Sequence, residues 1–371
     1  MKIKAAVIYA PHDPYVIEEV DLDRPKAGEA LVKVVASGYC HSDHAVAHGE
    51  FKAPYPIILG HEGSGVVVEV GEGVKDFKPG DRVCMSYSYC GECYACTTGR
   101  PYQCEANWRL NYGGRSYDGT TRLTKDGKEL ANFFNQSAFA TYSVTHQNNL
   151  VHVPEDIDLR LAGPLGCGVQ TGAGAVLNVL KPEAGSSIVV VGLGGVGMSG
   201  LMAAKACGCT TIIGVDTIDS RLDLALELGA THVINAKDTD VPEEVREITK
   251  GFYANYGFDA SGKIETKPTT MRCTNCFASL AFIGPAGPLG VIEARNITGI
   301  TQGRSIPRIF IPKLIQLYLR GLFPFDKMIR FYGFEDINAA ADDSASGKTV
   351  KPVIMIDGMT SPAPARQDNR R

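Results

Sequence analysis

The segment SIVVVGLGGVGMSGLMAAKACGCTTIIGVD, residues 187–216, leaves few folds open to this chain. Residues 187–191 are an apolar, β-branched run and read as a buried strand. A glycine fingerprint follows at Gly192, Gly194, Gly195 and Gly197, then a helix of small residues, then a second β-branched run ending at Asp216. Gly192 permits a tight turn, Gly194 lets a pyrophosphate approach the backbone, and Gly197 allows close helix–strand packing. The helix N-terminus offers free N–H groups to phosphate oxygens. Asp216 stands about 20 residues past the last glycine, where an acid binds the ribose 2′-hydroxyl of a dinucleotide. That acid repels a 2′-phosphate, so NAD is expected over NADP. The pattern is that of a doubly wound parallel α/β sheet. Residues 184–204 carry no charge and are long enough to span a bilayer. The fingerprint within them and the absence of a flanking basic patch read against a membrane segment.

A chain of 371 residues is too long for one ordinary core and implies two domains. Its formal net charge of −4 gives no support for a nucleic-acid footprint, which would be basic. The start, MKIKAAVIYAPHDPY, alternates like a first strand and has no long apolar signal region, so a cytoplasmic protein is expected. Eleven cysteines are an odd count in a large chain, and several sit at metal-ligand spacing, so a disulfide scaffold is a poor reading.

Four of them, Cys90, Cys93, Cys96 and Cys104, lie within fifteen residues. Zinc takes four thiolates in a tetrahedron, and loops this short let one lobe wrap one ion, with Gly91 and Gly99 supplying turns. A closed four-thiolate site has no position for substrate, so this set is structural. An iron–sulfur cluster also uses four thiolates, but the proline that follows the last cysteine of such a run is absent. A second set is scattered: Cys40 in GYCHSDH, His61 and Glu62 in ILGHEGSG, and Cys167 in GPLGCGVQTG. Two cysteines and a histidine suit a catalytic zinc, which keeps its fourth position open. A lone cysteine is more often a small apolar residue and a lone histidine a hydrogen-bonded loop residue. The glycine-rich contexts and the following cofactor site raise the metal reading.

These motifs together resemble the zinc-dependent medium-chain alcohol dehydrogenases. GHEGSGVVVEVGEGV, KPGDRV and SGKTVKP match landmarks of that family, and the likeness covers the chain from residue 1 to about 357. NFFNQSAFATYSV and PLGCGVQTGAGAVLNVLKP look most like the aryl-alcohol branch. The resemblance implies a GroES-like, partly open β-barrel catalytic domain over 1–168 carrying the cysteine lobe. It implies a Rossmann NAD-binding domain over 169–302 and a return to the catalytic domain over 303–358. The tail, 359–371, is expected to be disordered.

The resemblance also assigns roles. Cys40, His61 and Cys167 would hold a catalytic zinc, and Cys90, Cys93, Cys96 and Cys104 a second, structural one. Asp43 would orient His61 through its other ring nitrogen. Glu62 would lie behind the metal, and Ser42 would take the proton of the alcohol. His41 and Lys351 would meet the pyrophosphate, Thr171 and Val196 the nicotinamide, and Asp216 with Arg221 the adenosine ribose. Hydride would pass between the alcohol carbon and NAD. The family's relay histidine, five residues after the first zinc cysteine, is Ala45 here, and His44 and His48 read as surface or loop residues. Ser86, where relatives with small substrates carry a bulky wall residue, would leave room for a flat ring. Trp108 would face the cleft or pack elsewhere, and Arg109 could meet a substrate carboxylate. The implied reaction interconverts a primary aromatic or allylic alcohol and its aldehyde. The alternatives are a dehydrogenase of the same fold acting on another alcohol or aldehyde, and a non-enzymatic zinc- and NAD-binding module. Partners are then a small alcohol or aldehyde and further copies of the chain, as a homodimer or homotetramer, with no nucleic acid or membrane. Leu222, Leu226 and Leu228 are expected in the core, and Cys84, Cys207, Cys209, Cys273 and Cys276 as buried small residues.

Overall fold

The computed structural model describes residues 1–285, 287 and 295–356. The expectation for the tail at 359–371 lies outside the described residues. Six parallel strands form one sheet in the order His232–Asn235, Thr211–Asp216, Ser187–Val191, Ala254–Asp259, Thr274–Ile283, Asn296–Ile300. Numbered along the chain, that order is 3-2-1-4-5-6, the doubly wound dinucleotide-binding arrangement. Ser187–Val191 sits near its middle with Ile188, Val189 and Val190 wholly buried, which is why the run is apolar on both faces. The uncharged stretch at 184–204 is this strand and most of the helix Gly195–Ala206. Among the described residues no helix is long and apolar enough to cross a membrane.

The helix Asp219–Leu228 buries Leu222, Ala225 and Leu228, a spacing of three that keeps one face on the sheet. Leu226 was expected in that core but is 46% exposed. It follows Ala225 by one residue, about 100° around the helix, and so leaves the buried face. Cys273 is buried as expected, whereas Cys276 is exposed on the strand Thr274–Ile283. Cys84 and Cys209 are buried and Cys207 is half-buried.

The other strands make two largely antiparallel sheets of the barrel-like half. One holds Ile57–Ile58, Lys2–Ile8, Val16–Leu22, Leu123–Lys125 and Lys128–Leu130. The other runs Leu150–His152, Arg82–Met85, Glu62–Val70, Glu29–Gly38, Lys351–Met355, Ile329–Gly333, with Tyr142–His146 also on Glu29–Gly38. Lys351–Met355 thus comes back from beyond the parallel sheet to pair antiparallel with Glu29–Gly38, the strand that leads to Cys40. One apolar core joins Val169, Ala173 and Val176 to Leu201, Met202 and Phe258. It clamps the helix Gly168–Gly174 to Gly195–Ala206 so tightly that a Cβ on Gly172 would lie 1.9 Å from the Val196 carbonyl oxygen.

Candidate active site

A cleft of about 390 Å³ lies between the fingerprint and the barrel-like half. Gly192, Gly194, Gly195 and Val196 line one side, Cys40, His41 and His44 another, and Arg221, Val350 and Lys351 extend it. Gly192 has φ +85°, and a Cβ there would come within 2.7 Å of the Ser261 backbone, so both the turn and the contact require glycine. Gly197 is closed in the same way, 1.9 Å from the Gly192 carbonyl oxygen. Asp216 ends its strand under this loop. It accepts hydrogen bonds from the backbone N–H groups of Leu193 at 2.7 Å, Thr217 at 2.7 Å and Ile218 at 3.1 Å, with Arg221 3.7 Å away. Thr171 is half-buried in the neighbouring helix, on the turn before Gly172.

Cys40, His61, Glu62 and Cys167 converge at the floor, their candidate ligand atoms all within 4.8 Å of one another. Cys40 precedes the helix His41–Ala47, His61 directly precedes the strand Glu62–Val70, and Cys167 precedes the helix Gly168–Gly174. Three glycine contacts bring the third residue in. A Cβ at Gly163 would meet the Glu62 carbonyl oxygen at 2.1 Å, one at Gly166 the Met85 carbonyl oxygen at 2.0 Å, and one at Gly38 the Glu62 carboxylate at 2.1 Å. Asp43 is fully buried and serves both other ligands. One oxygen accepts from His61 Nδ1 at 3.1 Å and Gly60 N–H at 2.9 Å, and the other from Cys40 N–H at 3.0 Å. His61 Nε2 is buried with no hydrogen-bond partner, the expected state of a nitrogen reserved for a metal. A hydrogen bond from Cys167 holds the Cys40 thiol well below its usual range, and the same bond holds Cys167 well above its own. Two thiols and one free imidazole nitrogen in this space fit a zinc ion.

Behind this set, burial pushes Glu62 up to about 7, against the opposing pull of Lys351. Lys351 is lowered by burial but raised further by the Glu62 carboxylate, and it stays protonated. Its Nζ donates to both Glu62 oxygens at 3.1 and 3.0 Å and to the Tyr39 carbonyl at 3.2 Å. Its stem lies against Gly195 of the fingerprint. His44 is half-buried and lines the cleft beside His41, rather than lying on a surface loop, and its ring stacks on His48 at 4.0 Å. Ser86 does not border open space. It is fully buried, donating to the Gly166 carbonyl at 2.7 Å and accepting from Gln170 Nε2 at 2.7 Å. The Gly166 main chain and the Gln170 side chain are thus the partners of its hydroxyl. Sequence reasoning missed the residues that do crowd the metal set: Phe134 tilts over the His61 ring at 4.5 Å and Phe133 meets it edge-on at 5.3 Å. Their signal was the Phe-Phe pair in NFFNQS, read only as a branch marker.

The four-cysteine lobe stands apart. Its sulfurs also lie within 4.8 Å of one another, with Cys104–Cys90, Cys90–Cys96 and Cys93–Cys104 separations of 3.5, 3.9 and 4.0 Å. A tetrahedral zinc with Zn–S bonds of about 2.3 Å has sulfur–sulfur edges of about 3.8 Å, so the set fits the ion. Gly91 and Gly99 have φ +83° and +78°, the turns the lobe needs. Backbone N–H groups of Cys90 and Cys93 point at Cys104 and Cys90 sulfur at 3.3 Å each.

Two family models match the chain: the alcohol dehydrogenase GroES-like domain over residues 26–155 and the zinc-binding dehydrogenase over residues 195–317. Geraniol dehydrogenase of Castellaniella defragrans is 37% identical over 365 residues, covering 95% of this chain and 97% of that protein. The crystal structure of an alcohol dehydrogenase zinc-binding domain protein from Burkholderia ambifaria superposes with a TM-score of 0.92 at 43% identity, covering 96% and 99% of the two chains. Benzyl alcohol dehydrogenase from Acinetobacter calcoaceticus gives 0.91 at 40% identity with the same coverage.

Proposed function

We propose, for a chain that belongs to the zinc-binding alcohol dehydrogenase family, that its substrates are primary alcohols whose reacting carbon adjoins an alkene or an aromatic ring, and the matching aldehydes. Membership carries the reaction class: the protein is an oxidoreductase that interconverts an alcohol and its carbonyl compound with NAD. The observation that carries the substrate class is the pair Phe133 and Phe134 packed on His61, which puts aromatic faces beside the reacting position. Two relatives support it, one acting on geraniol, a primary allylic alcohol, the other on benzyl alcohol. Conjugation also favours hydride loss, because positive charge develops next to the π system.

Two zinc ions per chain are part of this reading, one on Cys40, His61 and Cys167 and one on the four-cysteine lobe. Zinc supplies a Lewis acid for the alcohol oxygen and NAD the hydride acceptor. The chain's own residues do the rest. Asp43 fixes His61 so that Nε2 faces the two thiols. Ser42, two residues after Cys40, would relay the hydroxyl proton, accepting it as its own hydroxyl proton passes on to solvent. Lys351 neutralises Glu62, so the two positive charges of a zinc ion would be matched by the two thiolates alone. Asp216 selects NAD over NADP by charge. A homodimer or homotetramer belongs to the same reading, and the strand Asn296–Ile300 has a free outer edge among the described residues.

Initial rates for cinnamyl alcohol, benzyl alcohol, geraniol, ethanol and cyclohexanol, with NAD and with NADP, test it. The conjugated primary alcohols should have the highest kcat/KM, with NAD. Preference for ethanol or cyclohexanol would reject the substrate class and leave the family intact.

A further inference from the structure

Immediately after the cysteine lobe, the helix Asn107–Tyr112 ends on a residue to which neither motif nor resemblance gives a role. Tyr112 is half-buried at the centre of an aromatic cluster. Its ring stacks on Trp108 at 4.6 Å and meets Phe134 at 5.2 Å, Phe133 at 5.6 Å and Phe51 at 5.8 Å edge-on. Phe133 and Phe134 continue the cluster to His61. Trp108, at the other end, is 58% exposed. A run of aromatic faces therefore leads from solvent to a zinc ligand, with Tyr112 in its middle.

The run is held against conformational preference. Phe134, Asn135 and Ser137 have φ of 54°, 50° and 50°, a region that costs a non-glycine residue about 1–3 kcal/mol and clusters at functional sites. The surroundings fix it: Phe134 N–H donates to the Asn111 carbonyl at 2.9 Å, Asn135 Nδ2 to the Leu110 carbonyl at 2.7 Å, and Ser88 and Asn149 donate to the Phe134 carbonyl. The two tethers to Leu110 and Asn111 set the phenylalanine pair against the last turn of Tyr112's helix. Burial raises the Tyr112 hydroxyl most, and the charges of Cys167, Cys40 and Asp43 raise it further.

We propose that Tyr112 determines specificity at the alcohol site: its ring is part of the wall on which a planar unsaturated group rests. The inference rests on the substrate reading above and names the residue that enforces it. An alcohol held at Cys40, His61 and Cys167 lies beside Phe133 and Phe134, and the Tyr112 ring packs against both. A flat conjugated group stacks on such a wall, and a puckered saturated ring does not.

Benzyl alcohol and cyclohexylmethanol, both primary and of equal carbon count, test the wall in wild type, Y112L and Y112F. The ratio of their kcat/KM values does not depend on how much enzyme is folded. In Y112L the ratio should fall about threefold to tenfold relative to wild type, the range of one aromatic contact. In Y112F, which keeps the ring, the ratio should hold. An unchanged ratio in Y112L overturns the wall, and so does a ratio that falls as far in Y112F as in Y112L. If Y112L does not fold, Y112H keeps a flat ring of smaller face and should lower the ratio by a lesser amount; no change there also overturns the wall. A wild type that prefers cyclohexylmethanol instead refutes the substrate reading itself.

Discussion

Asp43→Asn should loosen one zinc and leave the other untouched. Asp43 is fully buried and has no water to replace a lost partner. Its two oxygens take three hydrogen bonds, from Cys40 N–H, Gly60 N–H and His61 Nδ1. An asparagine has one oxygen. Turned toward Gly60 and His61, it sets its NH2 against the Cys40 N–H, donor against donor. Turned the other way, it leaves both Gly60 and His61 unpaired. The cheaper choice still loses one hydrogen bond to a charged acceptor, about 1.5–3 kcal/mol, and weakens the basicity of His61. At about 1.4 kcal/mol per factor of ten, this predicts a 10- to 100-fold loss of affinity at Cys40, His61 and Cys167, the range seen when such partners of metal ligands are removed. The assay is competition with a chromogenic chelator at controlled free zinc. The four-cysteine lobe supplies a reference within the same chain. Two release phases should appear, and only one should move. Equal movement of both would show general destabilisation. No movement of either, with activity lost, would place Asp43 in the chemistry rather than in holding His61.

Cys96→Ser should release the lobe's zinc and lower thermal stability, whereas Cys167→Ser should abolish turnover with most of the fold kept; metal analysis giving one zinc in fully active protein would reject the division. Asp216→Asn keeps an acceptor for part of the backbone set at Leu193, Thr217 and Ile218 but removes the charge, so NADP should gain on NAD at least about tenfold, a change of about 1.4 kcal/mol read from kcat/KM. Lys267→Met strands the Asp259 carboxylate, its ion-pair partner at 3.0 Å with both side chains wholly buried. Breaking such a pair costs about 3–5 kcal/mol, and the hydroxyls of Ser261 and Thr270 that also bond Asp259 favour the lower end. Faster hydrogen exchange along Ala254–Asp259 and a raised KM for NAD would register it, since the loop after Asp259 lines the cleft; unchanged exchange would refute it.

The parallel sheet was legible because its signals are local. A strand, a fingerprint, a helix and an acid lie within thirty residues, and the structure places Ser187–Val191 where the apolar run ends. The four-cysteine lobe was legible for the same reason. The second metal set was less readable from spacing, since Cys167 stands more than a hundred residues past His61; glycine-rich contexts, and then the resemblance, picked Cys40, His61 and Cys167 from eleven cysteines and eight histidines. Leu226 failed because one residue's rotation about a helix decides burial. Lys267 carried no signal at all: TKPTTMR reads as a polar surface helix, yet the lysine is buried on Asp259. Ser86 failed because its hydroxyl is tied to the Gly166 main chain, a contact that no local pattern announces. Tyr112 was passed over because its importance comes from contacts with Phe51 and Phe134, distant in sequence on both sides.

Hydride transfer demands that metal and coenzyme hold a fixed separation, and a misplacement of about 1 Å can cost about 100-fold in rate. Flexible loops could not hold that tolerance. Here the spacing is set by main chain against main chain. Gly163 abuts the Glu62 carbonyl next to His61, and Gly166 abuts Met85 just before Cys167. Five residues after Cys167, Gly172 abuts Val196 inside the fingerprint helix, and Gly197 abuts Gly192 at the start of the fingerprint turn. Each contact leaves no room for a Cβ, so the four together form a backbone connection from the candidate metal set to the fingerprint turn. Lys351 closes the circuit from the other side, its amine on Glu62 and its stem on Gly195. The glycines of PLGCGVQTG and of GLGGVG therefore serve one purpose. They let the barrel-like half and the parallel sheet approach until the candidate metal ligands and the fingerprint loop are registered by main chain against main chain.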